Sequence, residues 1–234
     1  SLHDALPIYK ELNFELSKLC FEGKIEELNI TENTQPAILT VSIAALMALQ
    51  KYGIKCDVTA GLSLGEYSAL VCSGAVDFKD AVKLVKKRGR FMQEAVPVGI
   101  GTMAAIIGLE ASKVEEACNE AKASGIVEIA NLNCPGQIVI AGEIAAVELA
   151  CEKAKEKGAK RAIVLSVSAP FHSSMLKPAA QKLEIELKNI KFDDMTIPLM
   201  TNVNGDYVKS KDDIKGNLKL QVMSSVLWET IIKR

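Results

Sequence analysis

The chain has 234 residues, 49% hydrophobic and 24% charged, a balance typical of a globular protein with one large domain or a core and a smaller companion. Its 28 Lys and Arg against 29 Asp and Glu leave a net charge of −1, which excludes a global field for nucleic acid or an anionic membrane. Six cysteines without a C-x-x-C pair, and only two histidines, His3 and His172, exclude the common zinc spacings. No stretch reaches the length of a membrane span and no signal-peptide pattern opens the chain, so a reducing cytoplasm is the expected compartment.

Taken in order, QPAILTVSIAALMALQKY at 35–52 predicts a helix capped by Thr34, with Pro36 in its first turn and Gly53 at its stop. Being apolar nearly all round, this helix is expected to be buried. CDVTA at 56–60 predicts a short strand, followed by a helix from Leu64 to Cys72 that Gly74 ends. Asp77 caps a further helix to about Ala95, after which Pro97, Gly99 and Gly101 suggest a hinge. From 102 the pattern becomes strand (102–109), helix (111–124), strand (126–133), strand (136–142), helix (143–157) and strand (161–167). That order is the ferredoxin-like split βαβ unit, whose ends lie close together and suit an inserted subdomain. The expected division is a ferredoxin-like small subdomain at 98–167 within a larger α/β subdomain made of 1–97 and 168–234.

Between the strand at 56–60 and the next helix stands Ser63, spaced G-x-S-x-G between Gly61 and Gly65. In a nucleophile elbow the flanking glycines leave room for a sharp turn, the hydroxyl projects outward, and the next amide helps bind an oxyanion. An ordinary Gly/Ser turn is the bland alternative. A serine nucleophile needs a base, and His172, in SVSAPFHSSM, follows a predicted strand end. His3 lies in the extreme N-terminal segment, where order is usually poor.

Arg88 is placed by helical geometry. On the 77–95 helix, Ala81, Leu84, Val85, Arg88, Met92 and Ala95 share one face, so Arg88 falls on the stripe that meets the core. It can snorkel or pair with a buried carboxylate. Equally, a guanidinium in an apolar wall is a bidentate clamp for a carboxylate substrate. Glu66, early in the serine helix, suits a place near the helix N-terminus.

The segments GLSLGEYSALVCSGAVDF, RGRFMQEAVPVGIGTMAAIIGL, NLNCPGQIVIAG and AKRAIVLSVSAPFHSSMLKPAA together resemble the malonyl-CoA:acyl-carrier-protein transacylases and related acyltransferase domains of polyketide synthases. The resemblance runs from about Tyr9 to the end. It implies an α/β-hydrolase-like core with an inserted ferredoxin-like subdomain. It also implies Ser63 as the nucleophile that takes malonyl as an ester, His172 as its base, and Arg88 as the partner of the malonyl carboxylate. The Leu64 N–H would supply half of an oxyanion hole. Asn133 and Gln137 would lie near the substrate channel, and Phe171 would match malonyl-selective members. No metal or cofactor is implied beyond the substrates, malonyl-CoA and phosphopantetheinylated acyl carrier protein. Lys160, Arg161 and Lys177 would be docking charges for that acidic carrier, and the chain would act as a monomer.

The sequence departs from the family pattern in having Leu62 where most members have His before the serine. The family's opening strand and G-Q-G loop have no counterpart, and SLHDALPI carries no likeness. SSVLWETIIKR resembles the segment before a G-P-G loop and the last strands, the region expected to supply the partner that orients the histidine. The chain therefore reads as an internal fragment of a transacylase. A serine esterase or thioesterase with the same elbow and a non-catalytic carrier-binding module are the alternatives; the esterase has no use for Arg88.

Overall fold

The computed structural model describes residues 16–167 and 169–234. In chain order its helices and strands begin with α1 (Leu16–Glu22), α2 (Ile25–Leu28), α3 (Thr31–Lys51), α4 (Gly65–Cys72) and α5 (Phe78–Glu94). Next come β1 (Gly101–Ile107), α6 (Ala111–Ala121), β2 (Val127–Cys134), β3 (Gln137–Glu143), α7 (Ile144–Glu156) and β4 (Arg161–Val164). The last are α8 (Lys177–Lys188), β5 (Met200–Thr201), β6 (Asp206–Tyr207), α9 (Lys211–Gln221) and α10 (Trp228–Lys233). They fall into two compact units, one of 16–91, Leu183–Thr201 and Tyr207–Gly216, the other of Met92–Lys182, Asn202–Asp206 and Asn217–Arg234.

In the first unit α3 starts at Thr31, ahead of the expected cap. Thr34 does not cap it: its hydroxyl donates to the carbonyls of Leu28 (2.6 Å) and Ile30 (3.1 Å). Pro36 is the sixth residue of the helix, past the first turn expected for it, and it lacks the N–H that would donate to the Glu32 carbonyl. The expectation of all-round burial fails. Gln35, Leu39 and Ile43 are buried on one stripe, while Ile38, Val41 and Met47 are exposed on the other side. Among the described residues α1, α2 and α4, with α5 at Thr31 and Gln35, pack on α3 and leave part of its circumference uncovered. The expected strand at 56–60 shrinks to a single parallel bridge between Thr59 and Leu199. It is fastened by Thr59 N–H to Pro198 O (2.8 Å) and Met200 N–H to Thr59 O (3.0 Å).

The second unit contains an antiparallel sheet in the order β2-β3-β1-β4. Strand residues alternate between its faces. Ala104 and Ile106 of β1, registered against Ile140 and Ile138 of β3, pack with Val114 and Ala117 of α6 and Val147 and Ala150 of α7. The opposite face carries Met103, Ala130, Val139 and Ala141, with Leu165 and Phe171 against them. Burying each of the larger aliphatic side chains among them, such as Ile106 or Val147, contributes about 1.5–3 kcal/mol.

Candidate active site

The backbone singles out two residues. Among the described residues, Ser63 (φ 52°) and His172 (φ 59°) are the non-glycine positions in the left-handed region. Such conformations cost about 1–3 kcal/mol and concentrate at functional sites.

Ser63 stands between the Thr59 bridge and α4. A Cβ at Gly61 would lie 2.0 Å from the backbone of Gly65, so the elbow admits only glycine there. Gly65 is different: a Cβ at that position meets nothing within 4 Å, and the room expected from both glycines is needed only at the first. Leu64 is the N-cap of α4, so its N–H belongs to the donors that the helix leaves unused at its positive end.

Arg88 is 1% exposed, on the stripe it shares with Ala81, Leu84, Val85 and Met92. Its Nη2 donates to Ser63 Oγ at 3.1 Å, and its Nη1 donates to Gln35 Oε1 at 2.8 Å. The guanidinium carbon lies 5.3 Å from the centroid of the Tyr67 ring. The structure thus brings Ser63 and Arg88 together. Burial lowers the guanidinium's proton affinity, opposed by Tyr67 and Glu66; arginine nonetheless keeps its charge in proteins. Burial also pushes the Tyr67 hydroxyl up to about 12, against the pull of Arg88. Glu66 is buried and accepts a hydrogen bond from Thr201 Oγ1 at 3.1 Å, an anchoring role beyond the expected place near the helix N-terminus. Sequence reasoning passed over Gln35, although a polar residue on the apolar stripe of α3 is the same signal that marked Arg88.

In the second unit His172 is buried, and its Nδ1–H donates to the Gln221 carbonyl at 2.8 Å. Gln221 ends α9, where the last carbonyls have no partner within the helix. The bond holds the tautomer whose Nε2 carries a lone pair. This corrects the expectation that the orienting partner lies beyond SSVLWETIIKR. It is a backbone carbonyl inside the chain, which no residue type advertises. Ser174 ties the turn to β2, its N–H and hydroxyl donating to the Glu128 carboxylate at 2.7 and 2.8 Å.

Phe171 is half-buried against the second face of the sheet. Asn133 Oδ1 is buried with no hydrogen-bond partner among the described residues. Gln137 is exposed and accepts from Cys134 Sγ at 3.5 Å, within its own hairpin. His172 also lines a cavity of about 620 Å³ bounded by Asn119, Leu132, Met223 and Ser225. His3 lies outside the described residues. Among the described residues no group of three or more His, Cys, Asp or Glu could hold a metal ion, and no helix is long and apolar enough to cross a membrane.

Residues 5–233 match the family described as acyl transferase domain, so the match begins ahead of Tyr9. The malonyl CoA-acyl carrier protein transacylase of Bacillus subtilis (strain 168) is 53% identical over 224 residues, covering 95% of this chain and 71% of its own length. A solved malonyl CoA-acyl carrier protein transacylase from Clostridium perfringens superposes with a TM-score of 0.94 at 50% identity, covering 97% of this chain and 71% of that one. A solved complex of a type II PKS acyl-carrier protein with its malonyl-transacylase gives 0.93 at 45% identity, covering 97% and 74%.

Proposed function

The chain belongs to the acyl transferase domain family, and on that premise we propose that it moves the malonyl group of malonyl-CoA to the phosphopantetheine thiol of an acyl carrier protein in fatty acid synthesis. The observation that carries this reading is the hydrogen bond from Arg88 Nη2 to Ser63 Oγ. A clamp for the free carboxylate of a three-carbon diacid has to stand next to the atom that takes its other end. A serine esterase acting on neutral esters has no need of that buried cation.

In the proposed mechanism Ser63 Oγ attacks the thioester carbonyl while His172 Nε2 takes its proton. The Leu64 N–H and the positive end of α4 stabilise the oxyanion. The tetrahedral adduct collapses, the C–S bond breaks, and CoA leaves as a thiol with the proton held by His172. The carrier thiol then gives its proton to His172 and attacks the malonyl-serine ester; the C–Oγ bond breaks and Ser63 Oγ takes that proton back, leaving malonyl on the carrier sulfur. Arg88 pairs with the malonyl carboxylate throughout, so an acetyl group leaves a buried cation without its partner. Asn133 and Gln137 are assigned to the acyl-pantetheine channel and Phe171 to malonyl selectivity. Exposed Lys160, Arg161 and Lys177 are assigned to docking of the acidic carrier.

The finer architecture belongs to the same proposal: an α/β-hydrolase-like core of 1–97 and 168–234 with a ferredoxin-like subdomain at 98–167. The β2-β3-β1-β4 order, with α6 and α7 on one face, supports the second part. The six free cysteines support a cytoplasmic, reducing setting, and the proposed working form is a monomer. A polyketide carrier is the second reading, favoured by the solved complex with such a carrier.

The test is intact-protein mass after brief incubation with malonyl-CoA, beside acetyl-CoA and a Ser63→Ala variant. A malonyl adduct seen only with malonyl-CoA and lost in the variant is expected. An acetyl adduct of equal yield would overturn the malonyl assignment in favour of the esterase.

A further inference from the structure

We infer that Gln35 is a positioning residue that sets the acyl selectivity of Arg88, an inference that rests on the malonyl reading above. Gln35 lies on the buried stripe of α3 with Leu39 and Ile43, and it is 6% exposed. One turn before it, at Thr31, α3 meets α5 backbone to backbone. A Cβ on Gly89 would stand 2.5 Å from the Thr31 carbonyl oxygen and 2.9 Å from the Glu32 Cα. Gly89 is the neighbour of Arg88, so this close approach brings Gln35 Oε1 to 2.8 Å from Arg88 Nη1.

The first consequence is orientation. An arginine has a long flexible stem, and its fork discriminates only when the plane is held. With Nη1 bonded to Gln35 and the Tyr67 ring beside the guanidinium, Nη2 is aimed at Ser63 Oγ. The second consequence is charge. The amide of Gln35 fills one donor of the guanidinium without adding a negative charge. A carboxylate at the same atom would form a buried ion pair with Arg88 and compete with the carboxylate of the substrate. Gln35 therefore aligns the clamp and leaves its positive charge for the acyl group.

The experiment measures the rate of Ser63 acylation by malonyl-CoA and by acetyl-CoA, over a range of each, for the unsubstituted chain, Gln35→Glu, Gln35→Leu and Arg88→Ala. Thermal midpoints are measured alongside. Gln35→Glu has the shape of glutamine and retains a partner for Arg88, so its midpoint is expected to hold. Its malonyl preference is expected to fall by about tenfold or more, the scale of losing a charge-assisted hydrogen bond, through a raised KM for malonyl-CoA with acetyl transfer undiminished. Gln35→Leu is expected to lose preference through a looser clamp and a lower midpoint. An unchanged preference in Gln35→Glu, or an equal fall for both acyl groups, overturns the inference. If Arg88→Ala abolishes the preference while Gln35→Glu keeps it, the malonyl reading stands and only the role of Gln35 falls. If the unsubstituted chain shows no malonyl preference, both fall.

Discussion

Ser63 and His172 share a left-handed backbone, yet the two turns are held in opposite ways. The serine turn is shaped locally and anchored by one distant bridge. Gly61 lets the backbone of the first turn of α4 come close, and the bridge at Thr59 fixes the chain four residues ahead of the serine. The histidine turn is assembled from distant segments: the carbonyl of Gln221 receives the ring, and the carboxylate of Glu128 receives Ser174. The helix ends differ as well. Ser63 precedes the positive end of α4, whereas His172 meets the negative end of α9. In the proposed mechanism the nucleophile stands at the positive end of one helix and the base at the negative end of another.

The largest expected effect breaks the distant turn's chemistry. His172→Ala should slow malonyl loading of Ser63 by about 10²–10⁴-fold, the usual worth of a general base, as read from adduct growth in quenched-flow mass spectra. A rate within a few-fold of the unsubstituted chain would remove His172 from the mechanism. Next comes the local turn. Gly61→Ala forces a methyl against backbone and should destabilise the fold by about 1–3 kcal/mol, whereas Gly65→Ala, with open space around its Cβ, should not. Denaturant unfolding of the pair checks this, and equal loss in both would mean that the elbow does not depend on Gly61.

The smallest effect lies away from both turns. Burial pushes the Cys118 thiol up to about 12, so the folded chain holds that proton where an unfolded thiol has lost it. Stability from this group is complete below the ordinary thiol value and declines as pH rises from about 9 towards 12. Thermal midpoints should fall across that range, less steeply in Cys118→Ala. An identical slope in the variant would assign the alkaline loss elsewhere, with Tyr67, raised in the same sense, the next group to test.

Much of this was legible in the sequence where the cause is local or periodic. The strand-helix order of 101–164 followed from alternation and from glycine and proline punctuation, and the core position of Arg88 followed from a 3.6-residue repeat. Ser63 was visible because its turn needs glycine nearby in the chain, and Asp77 because its carboxylate caps locally, accepting from Lys79 N–H at 2.8 Å. Other features had no such signature. The exposed side of α3 reads as core, since apolar composition states what can be buried and not which neighbours cover it. The strand before Ser63 is shorter than its residue types suggest because pairing depends on a partner more than a hundred residues away, at Leu199.

By itself, then, the sequence determined the order of elements in the sheet unit, the serine elbow, the candidate base and the cation on an apolar stripe. Each depends on residue type at short or regular spacing. Only the tertiary structure decided that Gln35 meets Arg88, that Glu66 is anchored by Thr201, and that a backbone carbonyl at the end of α9 orients His172. Those contacts join residues 49 to 135 positions apart. At such separations no helical or strand period links the partners, and a carbonyl, which every residue has, becomes distinctive only when a helix ends beside an imidazole.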